Sequence, residues 1–259
     1  MTAARLVRKN GISKTLPLVV AHRGDSFSYP ENTSIAFVFA LAVGVNGIEL
    51  DVRLSRDGIP VICHDATLQR FGGSTQSLRQ MTAAHIQAVD VGSWKNQRFV
   101  SQRVPTLDQV LNQCREVTVF IELKATNGPG RTAYHRRLLQ AVVKVIAKQQ
   151  AERRVCLLCF DGGVLKQISR MAPKLRRVRN CERLPTDLDV WLVHQPNLHA
   201  ACFDRQILTQ QVVDTCHRRG VQVFAWSAND ASAANRLRTL GVDAILSDRP
   251  AWLVKHLRS

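Results

Sequence analysis

Short apolar runs and stretches of helical periodicity alternate along most of the chain. Residues 18–21 read as a strand. Asn32 or Thr33 can cap a helix that continues to about residue 43, and Gly44 fits its C-terminal stop. Residues 48–54 form a second strand, and Ser55-Arg56-Asp57-Gly58 is a hairpin-type turn into a third at 60–64. Residues 66–104 have no clear period apart from a short helical patch near 82–89. Thr106 is the expected N-cap of a helix running to residue 114, followed by a strand at 117–123 and a long helix at about 131–150. Strands at 155–160, 221–226 and 244–246 come later, with weaker strand candidates at 177–181 and 200–203. Helices at 163–171, 209–219, 231–240 and the C-terminus complete the pattern.

Strand–helix alternation of this length predicts mainly parallel pairing, in a closed barrel or an open doubly wound sheet. No G-x-G-x-x-G turn follows the first strand, which counts against a nucleotide-binding open sheet. Polar residues instead gather at the C-terminal ends of several strands, as in barrel enzymes. The expected fold is an α/β, TIM-type (β/α)8 barrel forming one domain over residues 1–259, close to the roughly 250 residues such a barrel needs. No linker or internal repeat is evident. The link between residues 54 and 60 is too short for a parallel crossover, so one strand of that pair should be antiparallel.

Composition narrows the class. A hydrophobic fraction of 45% is enough to build a core, yet no apolar stretch approaches the ~18 to 20 residues of a membrane span. Arg5, Arg8, Lys9 and Lys14 precede only six apolar residues, which run into His22, so a cleaved leader is rejected. The seven cysteines are scattered through apolar surroundings and read as reduced thiols of a cytoplasmic protein. Cys156-x-x-Cys159 has no second pair at zinc-ligand spacing and lies in an expected buried strand. The net charge is +16, and residues 131–183 hold 14 Lys or Arg against three acids. Such an excess suits anionic partners or a solvated helical surface. Without interleaved aromatics, no nucleic acid is expected as a partner. Weak contact with an anionic membrane is compatible with the charge.

The candidate chemistry sits at strand ends. Glu49 and Asp51, two apart, share one face of a strand. If Glu122 joins them from a neighbouring strand, three carboxylates converge, and a hard divalent cation would relieve their repulsion and desolvation. Arg23 and Lys124 can bind phosphate oxygens or pair with these acids. His22 and His64 each follow an apolar run, and histidine titrates near neutrality. His85, His135, His194, His199, His217 and His256 lack such a setting and read as structural or surface residues.

The order of motifs resembles the glycerophosphodiester phosphodiesterase family over nearly the whole chain. The match is carried by His22-Arg23-Gly24, Pro30-Glu31-Asn32-Thr33, Glu49-Leu50-Asp51-Val52, Asp57-Gly58 and His64-Asp65. It continues through Pro105-Thr106-Leu107, Glu122-Leu123-Lys124, Trp226-Ser227-Ala228-Asn229, Gly241-Val242-Asp243 and Asp248-Arg249-Pro250. The resemblance implies a TIM-type barrel with a small insertion after the second histidine, at 66–104. It implies metal-dependent hydrolysis of small glycerophosphodiesters to glycerol 3-phosphate and an alcohol, through a cyclic phosphate. His22 and His64 would be the catalytic acid and base, and Glu49, Asp51 and Glu122 the metal ligands. Arg23, Lys124 and Trp226 would bind phosphate and substrate. The cofactor would be one divalent cation, with Mg2+ favoured and Ca2+ the alternative. Two other readings are lysophospholipid hydrolysis and a non-catalytic basic binding protein. The second is disfavoured because His22, Arg23, Glu49, Asp51, His64, Glu122 and Lys124 are all present. Phe71 and Cys159 depart from the family's usual Thr and Ser, which bears on substrate preference.

Overall fold

The computed structural model describes residues 16–128 and 130–259. β1 (Leu18–His22), α1 (Ser34–Ala42) and β2 (Gly47–Leu54) open the chain. β3 (Pro60–Ile62), α2 (Ala83–Ala88), α3 (Leu107–Gln113) and β4 (Thr118–Leu123) follow. Strand–helix units then repeat: α4 (Arg131–Lys148), β5 (Val155–Cys159), α5 (Gly162–Met171), β6 (Arg176–Cys181) and α6 (Leu188–Val193). The last units are β7 (Ala200–Asp204), α7 (Gln210–Arg218), β8 (Gln222–Trp226), α8 (Ala231–Leu240), β9 (Ala244–Ser247) and α9 (Pro250–Arg258).

Eight of these strands pair in parallel in the order β1, β9, β8, β7, β6, β5, β4, β2, and the β1–β2 pairing closes the ring. The expected (β/α)8 barrel is therefore formed. β3 pairs antiparallel to β2 outside the ring, which accounts for the ninth strand. Thr106 caps α3 with a full capping box, its hydroxyl accepting from the Gln109 N–H while the Gln109 side chain accepts from the Thr106 N–H.

Strand residues alternate between two apolar layers, as a period of two requires. Val19, Ala21, Ile48, Leu50, Val119, Ile121, Leu157, Phe203 and Val223 face the helices. Val20, Phe120, Cys156, Leu158, Val178, Cys202, Phe224 and Leu246 fill the barrel. Cys156 and Cys159 thus belong to opposite layers, so they cannot serve one metal, and burial pushes their thiols up to about 11 and about 12. Between β3 and α3 the chain builds a satellite core from Val61, Leu68, Leu78, Ile86, Val91 and Val104, so the insertion packs beside the mouth.

Gly47 marks where a barrel side chain displaces another. A Cβ there would lie 2.5 Å from Phe120 Cε2 and 2.8 Å from the Thr118 carbonyl oxygen. Gly47→Ala is expected to destabilise the fold by about 1–3 kcal/mol, the usual range for overpacking. The check is a lower urea midpoint with an unchanged denaturant slope.

Two elements were hard to read from the pattern. β6 is rich in arginine, yet Arg176 and Arg177 hand their guanidinium donors to backbone carbonyls of Arg153 (2.8 Å) and Pro196 (2.7 Å). Arg154 similarly donates to Cys114 and Leu111 at 2.9 and 2.7 Å, near the C-terminal end of α3. Part of the basic excess is thus internal structure. α6 has only six residues, too short for a visible period. Among the described residues, no helix is long and apolar enough to cross a membrane.

Candidate active site

The C-terminal ends of β1, β2 and β4 bring three carboxylates together. Register sets Glu49 beside His22 on β1 and Asp51 beside Glu122 on β4. Glu49, Asp51 and Glu122 are buried, each with an oxygen within 4.8 Å of the others. Asp51 is the best compensated. Arg23 Nε lies 3.1 Å from its Oδ2, Lys124 Nζ 3.0 Å from its Oδ1, and Asn32 Nδ2 donates to it at 2.8 Å. Burial opposes its ionisation, but the Arg23 and Lys124 charges prevail and hold it well below the usual range. Glu49 has the opposite fate. Burial and then the Asp51 charge push its carboxyl up to about 8. Glu122 is also raised, by burial and Asp51, although Lys124 Nζ contacts it at 2.6 Å and Asn180 Nδ2 at 3.2 Å. Three buried carboxylates thus outnumber the two cations that contact them.

The two histidines have matching supports. His22 Nδ1 is 2.6 Å from Asp248 Oδ1, and His64 Nδ1 is 2.8 Å from Asp65 Oδ1. Asp248 is itself held by Ser26 Oγ at 3.1 Å and Asn229 Nδ2 at 2.6 Å. Each carboxylate fixes its ring through Nδ1, and His22 Nε2 lies 3.9 Å from Glu49 Oε2. At His22, burial favours the neutral form, but Asp248 and then Glu49 outweigh it and raise the pKa. At His64, burial lowers it, with Arg23 adding to the effect against Asp51.

The turn after β1 places Arg23. Arg23 has φ 57 and Gly24 φ 81, so the chain reverses at once. A Cβ on Gly24 would come within 2.7 Å of the Ala36 backbone on α1, so glycine alone lets that helix close over the turn. The Arg23 N–H then donates to Glu49 Oε2 at 3.1 Å, and its guanidinium to Glu31 Oε1 at 3.2 Å.

A cavity of about 290 Å³ opens here, with His22, Arg23, Glu49, His64, Glu122 and Lys124 on its polar side. Leu158, Phe160, Cys202, Trp226 and Leu246 form the apolar side. The Phe160 and Trp226 rings meet edge to face at 6.2 Å. Trp226 Nε1 is buried without a hydrogen-bond partner among the described residues.

The sequence profile of the glycerophosphoryl diester phosphodiesterase family matches residues 22–252. The chain belongs to this family. It is 29% identical to a glycerophosphodiester phosphodiesterase of Caldanaerobacter subterraneus over 93% of this chain and 98% of that protein. Among solved structures, a phosphodiesterase of Oleispira antarctica in complex with the product sn-glycerol-3-phosphate superposes with a TM-score of 0.87. The identity is 29%, over 94% of this chain and 98% of that one. A glycerophosphoryl diester phosphodiesterase structure from Silicibacter pomeroyi gives 0.85 at 27% identity, covering 94% and 93% of the two chains.

In this phosphodiesterase all eight residues predicted for the site meet in one constellation. Seven of them line the cavity, and Asp51 lies just behind it, paired to Arg23 and Lys124. Sequence reasoning missed the groups that hold them. Asp248, Asp65 and Glu31 lie inside the motifs without an expected role, and Asn32, a candidate helix cap, instead donates to Asp51 while Thr33 takes the N-cap position. Their position next to a histidine, an arginine or a strand end was the available signal. Asn180 and Phe160, at the ends of weak or wholly apolar strands, offered only that position.

Proposed function

We propose that this glycerophosphodiester phosphodiesterase cleaves its substrate in two steps, with His22 and His64 moving the protons. One histidine takes the proton of the glycerol 2-hydroxyl, and that oxygen attacks phosphorus. The other gives a proton to the departing alcohol oxygen, leaving a cyclic phosphate. Water then opens the ring with the roles exchanged, yielding glycerol 3-phosphate. The observation that carries this reading is the paired support: both histidines have Nδ1 against a carboxylate and line the cavity that contains Glu49 and Glu122. A tethered nucleophile needs little further ordering, which favours attack by the 2-hydroxyl over attack by free water. The sn-glycerol-3-phosphate bound by the Oleispira antarctica relative agrees with the product assigned here.

The residues present fit one divalent cation. Three buried carboxylates within 4.8 Å are an all-oxygen donor set, and Glu49 is hard to ionise without added positive charge. Glu49, Asp51 and Glu122 would hold the ion, with Mg2+ favoured and Ca2+ the alternative. When bound, it acts as a Lewis acid that neutralises charge on the phosphoryl oxygens. Arg23 and Lys124 pair with the acids in the free protein and can turn to the phosphate when substrate enters. The unpartnered Trp226 indole N–H would find a substrate oxygen, while the apolar side excludes water from the reacting centre.

The test is glycerophosphocholine against its 2-deoxy analogue at equal enzyme and metal. Hydrolysis of the analogue should fall to background. Equal rates would mean that water attacks directly, and the cyclic intermediate would be abandoned.

A further inference from the structure

The insertion contributes a side chain that reaches both halves of the site without lining the cavity. Arg70 lies in the short turn Gln69–Phe71, inside the segment between β3 and α3. Its Nε donates to Asp65 Oδ2 at 2.7 Å, and the other oxygen of that carboxylate holds His64 Nδ1 at 2.8 Å. Its Nη2 donates to Glu31 Oε1 at 2.7 Å, the same oxygen that receives Arg23 Nη1 at 3.2 Å. Arg23 in turn contacts Asp51 at 3.1 Å. A continuous chain of charge-assisted contacts therefore runs His64–Asp65–Arg70–Glu31–Arg23–Asp51.

The guanidinium at its centre is also packed against two adjoining rings. Arg70 Cζ sits 4.7 Å from the centre of the Phe71 ring and 4.9 Å from that of Trp94. Both rings belong to the insertion, and they contact each other at 5.8 Å. A planar fork packed against these rings can satisfy two carboxylates at once, which a single ammonium on a flexible stem cannot do in fixed geometry. Phe71, a departure from the family's usual residue, is thus part of that support.

We propose that Arg70 is a positioning residue for the phosphodiesterase reaction, through which the insertion sets His64 and Arg23 in one geometry. The proposal rests on the assignment of His64 as a proton carrier. Arg70 does not line the cavity and acts on it through Asp65 and Glu31. Without it, Asp65 is free to rotate away from His64, and Glu31 competes undivided for Arg23. Losing an outer-shell partner of this kind typically costs about 10- to 100-fold in activity.

The experiment compares Arg70→Met, which keeps an apolar stem against the rings, with Arg70→Lys, Asp65→Asn and His64→Ala, each in the metal-loaded full chain. Arg70→Met should lower kcat about tenfold or more with a smaller change in KM and an unaltered melting temperature. Arg70→Lys should restore only part of the loss, and ethylguanidinium added to Arg70→Ala should restore more. In the Asp65→Asn background, Arg70→Met should cost clearly less than alone, because both act through the same contact. If His64→Ala is severely impaired but Arg70→Met keeps normal kcat, or its loss simply multiplies with that of Asp65→Asn, Arg70 is not a positioning residue. If His64→Ala itself turns over normally, the acid–base assignment fails first, and this proposal with it.

Discussion

Changing His22 or His64 to alanine is expected to lower kcat by about a hundredfold or more, the scale for losing a general acid or base. Neither ring carries a backbone contact essential to the barrel. His22 is held by Asp248 at 2.6 Å and His64 by Asp65 at 2.8 Å, so both variants should fold. The two losses should not multiply, because each proton transfer needs both groups in complementary states and removing one already disables the pair. Metal affinity should change far less than kcat. The measurement is single-turnover hydrolysis of glycerophosphocholine by each variant and by the double variant. Near-normal turnover by either single variant would make that histidine structural and require another proton carrier.

Removing divalent cations should abolish turnover, and Mg2+ or Ca2+ should restore it. The carboxylate cluster allows a second readout that does not depend on activity. A cation at a hundred times its dissociation constant stabilises the native state by about 2.7 kcal/mol. For a chain of this size that is a rise in Tm of about 5 °C or more. The rise should be lost in Glu49→Gln and Glu122→Gln, which remove ligand charge from the triad but leave its packing. Asp51→Asn should additionally strand Arg23 and Lys124, whose contacts at 3.1 and 3.0 Å depend on it, and so lower the Tm of the metal-free protein. Full activity in excess chelator, together with no thermal shift, would remove the metal from the mechanism.

The balance of buried charge explains why these two effects should be the largest. Glu49 is pushed up to about 8 while Asp51, two residues along the same strand, is held far below the usual range. The difference comes from neighbours: Asp51 has Arg23, Lys124 and Asn32, whereas Glu49 has a backbone N–H from Arg23 and His22 Nε2 at 3.9 Å.

Much of this protein is determined locally and was legible before folding. The strand–helix rhythm, the antiparallel β3 and the capping box at Thr106 depend on residues close in sequence. The Glu49–Asp51 spacing puts two acids on one strand face whatever the fold. The family motifs then pointed to the eight residues that meet at the barrel mouth. What local pattern could not decide was pairing across the chain. Asp248 reaches His22 over 226 residues because β1 and β9 are adjacent in the ring. Glu122 joins Asp51 because β2 and β4 pair directly, bypassing β3 and the whole insertion. β6 contradicted its arginine-rich composition because tertiary carbonyls receive those charges. Arg70 reads as one more surface cation until the insertion folds against the mouth and sets its guanidinium between Asp65 and Glu31. Periodicity encodes which face of an element is apolar. Ring closure alone decides which polar ends meet, and in this protein the chemistry lies at those meetings.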